Sequence, residues 1–375
     1  MSAYDWLIVG AGFTGATLAE RIATQRNERV LVIDRRAHVA GNAFDELNER
    51  GVLVHRYGPH AFHTNSERVW SYLSAFTGWH PYAHRVRAEV EGRLVPVPFN
   101  LDAFDACFGP DAPRLEARLR ALYPGVDHVP VLKLLDAPDG DARRVARYVY
   151  DHVFLGYTTK QWGLAPEALD ASVTGRVPIR LSRDDRYFQD RFQATPADGF
   201  TALFGRMLGH PNVDVRLGCA YEDLGASVRW KRMIYTGALD AYFGYAHGPL
   251  PYRSLRFVEE HHERERVFPV AQVNYPSLDH AFTRVTEYGH MTGQRLPVTT
   301  LVREFPEAHA PGANEPYYPI PREENRALYR LYAALAAREA PRVLFAGRLA
   351  DYQYYNMDQA VARALTLFDR EIATL

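Results

Sequence analysis

The sequence predicts an α/β fold in which a discontinuous Rossmann-like nucleotide-binding domain carries an inserted helical domain and an antiparallel β-sheet domain. Three observations predict it: a strand, glycine-rich turn and helix at the N-terminus, a change to helical periodicity near residue 113, and a strand, glycine and helix near the C-terminus. With 375 residues, 47% of them hydrophobic, the chain can bury one large core or the cores of two to three cooperating domains.

The N-terminal element is a β-α-β unit. Residues 5–9 are predicted to form a short buried strand, the helix that follows carries Leu18 and Ile22, and the apolar run 30–33 forms the second strand. The turn 10–15, with the sequence Gly-Ala-Gly-Phe-Thr-Gly, directly follows the first strand and opens the helix.

This turn and Asp34 together predict a bound dinucleotide. Glycines let the backbone approach a pyrophosphate at a helix N-terminus, where unpaired N–H groups and the helix dipole favour negative charge. Asp34, at the end of the second strand, can accept hydrogen bonds from a ribose, which disfavours a 2′-phosphate. The neighbouring Arg35 and Arg36 still leave NADP as an alternative, and a tight turn without any ligand is the other one.

A helical insertion follows. Leucines repeat at helical spacing from Leu115 to Leu122, and valines do so from Val145 to Val153, after Asp141 as the expected N-cap. Before this insertion, apolar residues alternate over 86–90 and 95–99.

The dipeptide Glu91-Gly92 separates these two alternating runs and predicts an antiparallel hairpin. A similar alternation over 298–302 predicts a further strand.

The C-terminal segment completes the nucleotide-binding domain. A buried strand is predicted over 343–346, Gly347 and a loop follow, and the spacing of Val361, Leu365 and Phe368 predicts a final amphipathic helix that reaches Ile372. In flavoproteins with two dinucleotide folds, a late helix in this order brings its N-terminus to the flavin, so FAD is favoured over NAD. An aromatic core plug before the helix is the alternative interpretation.

Composition excludes several function classes. The chain has 44 basic and 45 acidic side chains and a pI near 7.0, so no global field attracts nucleic acid or an anionic membrane. Cys107 and Cys219 match no redox or metal spacing and are expected to be ordinary buried thiols. Without a leader or an apolar run of about 18 residues, the chain is expected to be cytoplasmic and not associated with a membrane.

Several longer motifs resemble those of bacterial UDP-galactopyranose mutases. Read in order, they are Gly41-Asn42, the stretch 57–63 (YGPHAFH), 156–163 (GYTTKQWG), 176–180 (RVPIR), 185–188 (DRYF), 315–319 (EPYYP) and 347–350 (GRLA). The resemblance spans nearly the whole chain. It implies a glutathione-reductase-like FAD fold and an isomerase that interconverts UDP-galactopyranose and UDP-galactofuranose.

The resemblance also implies a mechanism. N5 of reduced FAD attacks the anomeric carbon and displaces UDP, and the sugar ring opens and recloses before UDP returns. The implied partners are the two UDP-sugars, an external reductant such as NAD(P)H, and a second copy of the chain in a homodimer or higher homo-oligomer; nucleic acid and membranes are not among them.

The resemblance assigns roles to particular residues. It makes Arg180 and Arg284 the phosphate-clamping arginines and sets His60 and His63 beside the isoalloxazine; these four are the candidate catalytic residues. The substrate-binding set is Tyr157, Thr158, Trp162, Arg180, Tyr187, Phe188, Asn274, Arg284, Tyr318, Tyr354 and His84. The cofactor-binding set is Gly10, Gly12, Thr14, Gly15, Asp34, Arg35, Gly41, Asn42, His60, Ala61, Val215, Gly347, Arg348, Tyr355, Asn356, Met357 and Asp358.

Single residues of these sets have simpler interpretations. Trp162 can be a core aromatic side chain, and His63 an ordinary buried histidine with satisfied hydrogen bonds. His60 and His63 stand three residues apart, but no third ligand follows at a suitable spacing, so no metal is predicted. The sequence departs from the family at His84 and Asn356, where asparagine and aspartate are frequent, respectively.

The predicted domains are discontinuous. The FAD-binding domain comprises 1–78, 197–245 and 338–375, the helical domain 100–170, and the antiparallel-sheet substrate domain 79–99, 171–196 and 246–337. Two other functions stay open. One is an FAD-dependent oxidoreductase of the amine-oxidase type, whose substrate would itself reduce the flavin. The other is a non-catalytic UDP-sugar or nucleotide-binding protein, which would have no need of a redox cofactor.

Overall fold

The computed structural model describes residues 3–170, 178–225 and 228–375. The strands, numbered in chain order, are β1 Ala3–Val9, β2 Val30–Asp34, β3 Asp45–Leu47, β4 Leu53–His55, β5 Phe62–Thr64, β6 Trp79–Pro81, β7 Val86–Val90, β8 Arg93–Val97, β9 His128–Pro130, β10 Pro178–Arg180, β11 Phe192–Pro196, β12 Val213–Leu217, β13 Arg229–Tyr235, β14 Tyr252–His262, β15 Gln272–Asn274, β16 Arg284–Glu287, β17 Thr299–Ala308, β18 Tyr318–Pro319 and β19 Val343–Phe345.

The α-helices are numbered in the same way: α1 Phe13–Arg21, α2 Glu67–Ser74, α3 Leu101–Phe108, α4 Ala112–Leu122, α5 Val131–Leu135, α6 Gly140–Val149, α7 Leu155–Trp162, α8 Phe200–Leu208, α9 Leu239–Tyr242, α10 Gly289–Thr292, α11 Glu323–Glu339 and α12 Met357–Leu367. Across the three described ranges, no helix combines the length and the apolar character needed to cross a membrane.

A parallel sheet of five strands, in the order β12-β2-β1-β13-β19, confirms the predicted Rossmann-like fold. Trp6, Leu7 and Ile8 in β1, the central strand, are fully buried. A parallel sheet is covered on both faces, which explains why its first two strands appear as continuous apolar runs and not as alternating patterns.

Helices α1, α8 and α12 cover one face of this sheet. Phe13 of α1 packs on Phe204 of α8 with ring centroids 4.7 Å apart, and both belong to a core that includes Ile8. Val361 and Ile372 are fully buried, as the predicted helical stripe requires. The last turn, 368–372, continues α12 as π-helix.

A second sheet has seven strands in the order β18-β14-β17-β16-β15-β7-β8. Its neighbours pair antiparallel, as predicted, except for β15 and β7, which run parallel. The predicted hairpin is confirmed: β7 and β8 pair around Glu91 and Gly92, whose φ angles of 52° and 77° are those of a left-handed turn that matches strand twist.

The predicted helical insertion is confirmed as helices α3 to α7, which share one core with the hairpin. The expected N-cap of α6 was wrong by two residues. Asp139 has extended backbone and its carboxylate accepts from the N–H of Ala142 at 2.9 Å, so the helix begins at Gly140. Asp141 lies in the first turn and pairs with Arg114.

The two sheets and the insertion draw on separated parts of the chain. The parallel sheet uses strands from 3–34, 213–235 and 343–345, while the second sheet uses strands from 86–97 and 252–319. A small sheet, β5-β11-β6, pairs strands from both sides of the predicted boundary at residue 78. The exact domain boundaries therefore stay a prediction.

Candidate active site

A first cavity, of about 490 Å³, lies at the carboxyl ends of β1 and β2. Ligands of open parallel sheets bind at this edge. Most of the predicted cofactor-binding residues line it: Gly10, Gly12, Thr14, Asp34, Arg35, Gly41, Asn42, His60, Gly347, Arg348, Asn356 and Met357.

The glycine-rich turn is built so tightly that side chains do not fit at two of its positions. Gly10 has φ +107°, and a Cβ there would lie 2.0 Å from Oγ1 of Thr236. A Cβ on Gly15 would lie 1.9 Å from the carbonyl oxygen of Gly10. Gly12 differs, because its nearest neighbour would be the Cα of Gly41 at 3.8 Å. The space that a side chain at Gly12 would occupy is therefore not filled by the described residues.

Asp34 is held in place by the backbone. Its carboxylate accepts from the N–H groups of Ala11 and Arg36, each at 2.9 Å. Arg35 and Arg36 both pair with Glu315, the Arg36 contact at 2.7 Å. The carboxylate of Glu315 partly neutralises these two guanidinium groups, and the carboxylate of Asp34 beside them disfavours a ribose 2′-phosphate.

The C-terminal motif closes the same cavity from the other side. Arg348 donates to the carbonyl oxygen of Tyr355 at 2.6 Å, and burial lowers the pKa of Arg348. Asn356 caps α12 in a reciprocal capping box with Gln359. Because Asn356 and Met357 line the cavity, the N-terminus of α12 meets it with its positive end.

A second cavity, of about 540 Å³, adjoins the first. The two share five lining residues: Asn42, His60, Arg348, Asn356 and Met357. Most of the predicted substrate-binding residues line the second cavity: Tyr157, Thr158, Tyr187, Phe188, Asn274, Arg284, Tyr318, Tyr354 and His84, joined by His63 and Ala61. A group bound in the first cavity can therefore reach a ligand in the second.

Arg284 is a cation of the second cavity that a buried carboxylate holds in place. Its Nε and one terminal nitrogen both donate to Oε2 of Glu304, at 2.9 and 2.7 Å, and Glu304 is 2% exposed. Burial opposes the charge, but Glu304, together with Tyr157 and Tyr318, raises the pKa of Arg284 well above its ordinary value. The guanidinium keeps further N–H groups for an anion.

Phenols surround this arginine. Burial raises the pKa of Tyr157 and of Tyr318 above the ordinary value, so both stay neutral hydrogen-bond donors at neutral pH. Tyr318 also accepts from the side-chain amide of Gln161 at 3.0 Å. Neutral donors around a cation suit a pyrophosphate, since they add hydrogen bonds without further positive charge.

His60 lies where the two cavities meet. Its Nδ1 is 2.7 Å from the carbonyl oxygen of Gly58, and because a carbonyl only accepts, Nδ1 carries the proton and Nε2 presents a lone pair. Burial lowers the pKa of His60 to about 3. The ring is thus neutral at physiological pH.

The other two histidines lie along the second cavity. His63 stacks on Phe188 with ring centroids 3.6 Å apart and contacts Asp190 through Nδ1 at 2.8 Å. Burial lowers the pKa of His84 to about 4, and its Nδ1 lies 2.8 Å from the hydroxyl of Tyr82. His84, where the family often has asparagine, therefore presents a neutral ring.

Two predicted substrate-binding residues do not line either cavity. Arg180 lies in the short strand β10, its backbone N–H bonds the carbonyl of Phe99 at 2.8 Å, and its Nε is buried without a partner among the described residues. Trp162 is 8% exposed and packs behind Tyr318, with ring centroids 5.9 Å apart. Arg176 and Val177 of the same motif lie outside the described residues.

Five predicted cofactor-binding residues do not line the first cavity: Ala61, which lines the second, and Gly15, Val215, Tyr355 and Asp358. Gly15 packs against the carbonyl oxygen of Gly10 within the turn. Val215 packs against the core between the parallel sheet and its helices. The carbonyl of Tyr355 holds Arg348, and the carboxylate of Asp358 accepts from Thr64 at 3.0 Å. These residues contact the elements that form the cavity rather than the cavity itself.

Several residues that line the two cavities were not predicted from the sequence. Thr236 and Tyr221 line the first cavity, and Gln272 and Tyr317 line the second. Cys219 also lines the first cavity; Cys107 and Cys219 are free and half-buried, not fully buried as expected. Only the position of Thr236 directly after a buried strand carried a signal for it, because parallel strands end at one edge.

The buried ring of His55, which holds the backbone of His60, makes the stability of the fold depend on pH. Its Nδ1 accepts the N–H of His60 at 3.0 Å, and burial lowers its pKa to about 3. In the unfolded chain its pKa is about 6.5. His55 therefore contributes stability that is complete above about pH 6.5 and is lost as the pH falls toward 3.

Between about pH 7.5 and about pH 5, we expect the free energy of unfolding of the wild-type protein to fall by about 2 kcal/mol more than that of His55→Asn. Asparagine keeps an acceptor for His60 but does not titrate in this range. Urea unfolding of both proteins at the two pH values measures the difference. Equal losses in the two proteins would show that His55 is not held neutral by the fold.

Solved structures resemble this fold over its whole length. A reduced UDP-galactopyranose mutase superposes with a TM-score of 0.75 at 16% identity, covering 99% of this chain and 96% of that one. A putative protoporphyrinogen oxidase from Exiguobacterium superposes with a TM-score of 0.66 at 13% identity and covers both chains completely. At these identities the likeness concerns the fold alone. The fold and the two joined cavities define an α/β protein with a Rossmann-like domain whose sheet edge can hold a dinucleotide.

Sequence relatives give the family. The UDP-galactopyranose mutase family model matches residues 152–354, and a model of NAD(P)-binding Rossmann-like domains matches 8–76. The chain is 34% identical to the probable UDP-galactopyranose mutase of Klebsiella pneumoniae, over 98% of this chain and 95% of the relative. It is 33% identical to the dTDP-fucopyranose mutase of Escherichia coli, over 96% of each. The chain belongs to the UDP-galactopyranose mutase family of isomerases.

Proposed function

We propose that this chain binds FAD in the first cavity and interconverts UDP-galactopyranose and UDP-galactofuranose in the second. The observation that carries the proposal is the junction of the two cavities at His60, Arg348, Asn356 and Met357. A flavin whose pyrophosphate lies on the glycine-rich turn would present its ring there, beside the cation and phenols of the second cavity.

The residues of the first cavity fit FAD. The turn leaves space at Gly12, and Asp34 lies at the edge of the same cavity, suitably placed for a ribose. The capped N-terminus of α12 offers a positive end for the pyrimidine side of the flavin. When bound in reduced form, FAD would supply the nucleophile for the anomeric carbon.

The chain itself would hold the substrate through the reaction. Arg284, fixed by Glu304, would bind the pyrophosphate, and the hydroxyls of Tyr157 and Tyr318 would donate to it as it leaves and returns. Asn274 and Thr158 also line the second cavity, and Asn274 would read the edge of the pyrimidine. His60, neutral and with a free lone pair on Nε2, would accept a hydrogen bond at the junction.

Arg180 would join this set through a movement. It lies outside both cavities, and the mutase function assigns it a second contact with the pyrophosphate, so we propose that its segment closes over bound substrate. Structures without and with UDP-sugar test this step. The same position of Arg180 in both would exclude closure.

The deciding experiment starts from FAD-loaded protein and UDP-galactofuranose, with and without dithionite, and separates the sugar nucleotides by chromatography. Conversion to UDP-galactopyranose only under reduction is expected. No conversion by reduced, FAD-loaded protein would refute the proposal, and bleaching of oxidised flavin by an amine substrate would establish the oxidoreductase alternative.

A second substrate belongs in the same assay. The 33% identity to a dTDP-fucopyranose mutase over 96% of the chain is almost the same as the identity to the UDP-galactopyranose enzyme. We therefore include dTDP-fucofuranose and compare kcat/KM for the two sugar nucleotides. A higher kcat/KM for dTDP-fucofuranose would support the isomerase activity and show that UDP-galactofuranose is not the preferred substrate.

A further inference from the structure

Lys160 makes an unusual set of contacts that the proposed function does not use. It lies in α7, and its ammonium donates to four backbone carbonyls of one loop: Tyr275 (2.6 Å), Ser277 (2.7 Å), His280 (2.9 Å) and Phe282 (2.9 Å). An ammonium has three hydrogens, so at least one of them is shared. The side chain therefore serves as an internal clamp on this loop.

The clamped loop, 275–283, joins two strands of the second cavity. β15 ends at Asn274 and β16 begins at Arg284, and these two residues are direct partners across the strand pair. The other end of the clamp, α7, carries Tyr157 and Thr158. One lysine thus connects α7, which carries two residues that line the cavity, to the loop between β15 and β16.

We propose that Lys160 is a positioning residue that sets the separation between α7 and the loop 275–283, and through it the placement of Asn274 and Arg284 for the nucleotide. The inference rests on the proposed function, because it assigns these two residues to nucleotide binding. Lys160 itself lines neither cavity.

The residue type supports this role. The basic residues of the chain are almost all arginines, and Lys133, Lys160 and Lys231 are its only lysines. Carbonyl oxygens around a point suit a tetrahedral ammonium, whereas a planar guanidinium cannot direct its N–H groups to all four. Burial lowers the pKa of Lys160 to about 8, and Asp279 is the acidic neighbour that opposes this shift.

A second close approach ties the same two elements together. A Cβ on Gly156, at the start of α7, would lie 2.2 Å from the carbonyl oxygen of Pro276 in the loop. Real Cβ atoms do not approach oxygen so closely, so any side chain at Gly156 would push the loop away from the helix. The hydrogen bonds of Lys160 and the close approach at Gly156 therefore each restrain the distance between α7 and the loop 275–283.

The test is calorimetric titration of FAD-loaded protein with UDP. We expect Lys160→Met, which keeps the length of the side chain and removes its charge, to weaken UDP binding about ten- to a hundred-fold while FAD content stays unchanged. KM for the sugar nucleotide should rise by a similar factor and kcat should change much less. Lys133→Met, at an exposed lysine of α5, is the matched control and should bind UDP like the wild type.

The outcomes separate the two proposals. A wild-type protein that does not bind UDP refutes the proposed function, whereas wild-type and Lys160→Met proteins with equal affinity refute only the role of Lys160. A fall in kcat with unchanged KM also refutes it. If Lys160→Met does not load FAD, Gly156→Ala replaces it in the titration, and an unchanged affinity in that variant overturns the inference.

Discussion

Replacing Arg284 with alanine is expected to lower kcat/KM for the sugar nucleotide about a hundred- to a thousand-fold, because the pyrophosphate would lose its buried cation. Arg284 lines the second cavity in a fixed pose, held by two hydrogen bonds to one oxygen of Glu304. Steady-state kinetics with reduced protein and UDP-galactofuranose measure the loss.

The same substitution should also destabilise the fold. Glu304 is 2% exposed, and without Arg284 its carboxylate would be a buried charge with no counter-ion. Removing one partner of such a pair costs about 3–5 kcal/mol. Urea unfolding therefore has to accompany the kinetics, since a loss of folded protein would imitate a loss of catalysis.

A double variant separates the two effects. Arg284→Ala with Glu304→Gln removes both charges, so stability should recover in part while kcat/KM stays low. Arg303→Ala is the matched control, because Arg303 lies on the adjacent strand β17 and pairs with Glu260 at the surface. Its effect on stability should stay within about 1 kcal/mol. Recovery of turnover in the double variant would show that Arg284 only neutralises Glu304.

The partner of Arg284 illustrates what the sequence could not provide. Arg284 and Glu304 are 20 residues apart and become neighbours because β16 and β17 pair in a register that places them directly opposite each other. No local pattern fixes that register, and a shift of one strand by one residue would place Arg284 and Glu304 on opposite faces of the sheet. The arginine was predictable by family resemblance, but its carboxylate was not.

Local motifs were predictable for the opposite reason. The glycine-rich turn, Asp34 and the hairpin at Glu91-Gly92 depend on residues that are close in sequence and on backbone angles that few residues adopt. The structure confirms the turn and the hairpin. Arg180 and Trp162 show the limit of motif reasoning, since each belongs to a matching motif and neither lines a cavity in this conformation.

The N-cap of α6 shows a smaller limit of the same kind. Asp139 and Asp141 are both suitable caps by residue type, and helical spacing alone does not decide between them. The structure selects Asp139 because its backbone is extended, while Asp141 is already inside the first turn. Helix existence followed from periodicity, and the helix start followed from a conformation that the sequence does not specify.

Gly12→Ala is expected to give a folded protein that loses FAD, with an affinity at least about a hundred-fold lower than that of the wild type. Gly12 has φ −82° and ψ −174°, which any residue can adopt, and a Cβ there would meet only the Cα of Gly41, at 3.8 Å. The methyl group would instead occupy the space over the N-terminus of α1, where we place the pyrophosphate. Flavin absorbance per protein and titration with FAD measure the loss, and circular dichroism reports the fold.

Two further glycines make this result specific. Gly15→Ala should prevent folding of the turn, because its Cβ would lie 1.9 Å from the carbonyl oxygen of Gly10. Gly205→Ala, on the exposed side of α8 with no atom within 4 Å of the added Cβ, should keep both FAD and stability. If Gly12→Ala retains FAD like Gly205→Ala, the pyrophosphate does not lie on this turn. A Gly12→Ala protein that fails to fold like Gly15→Ala would instead contradict the spare room that the structure shows at Gly12.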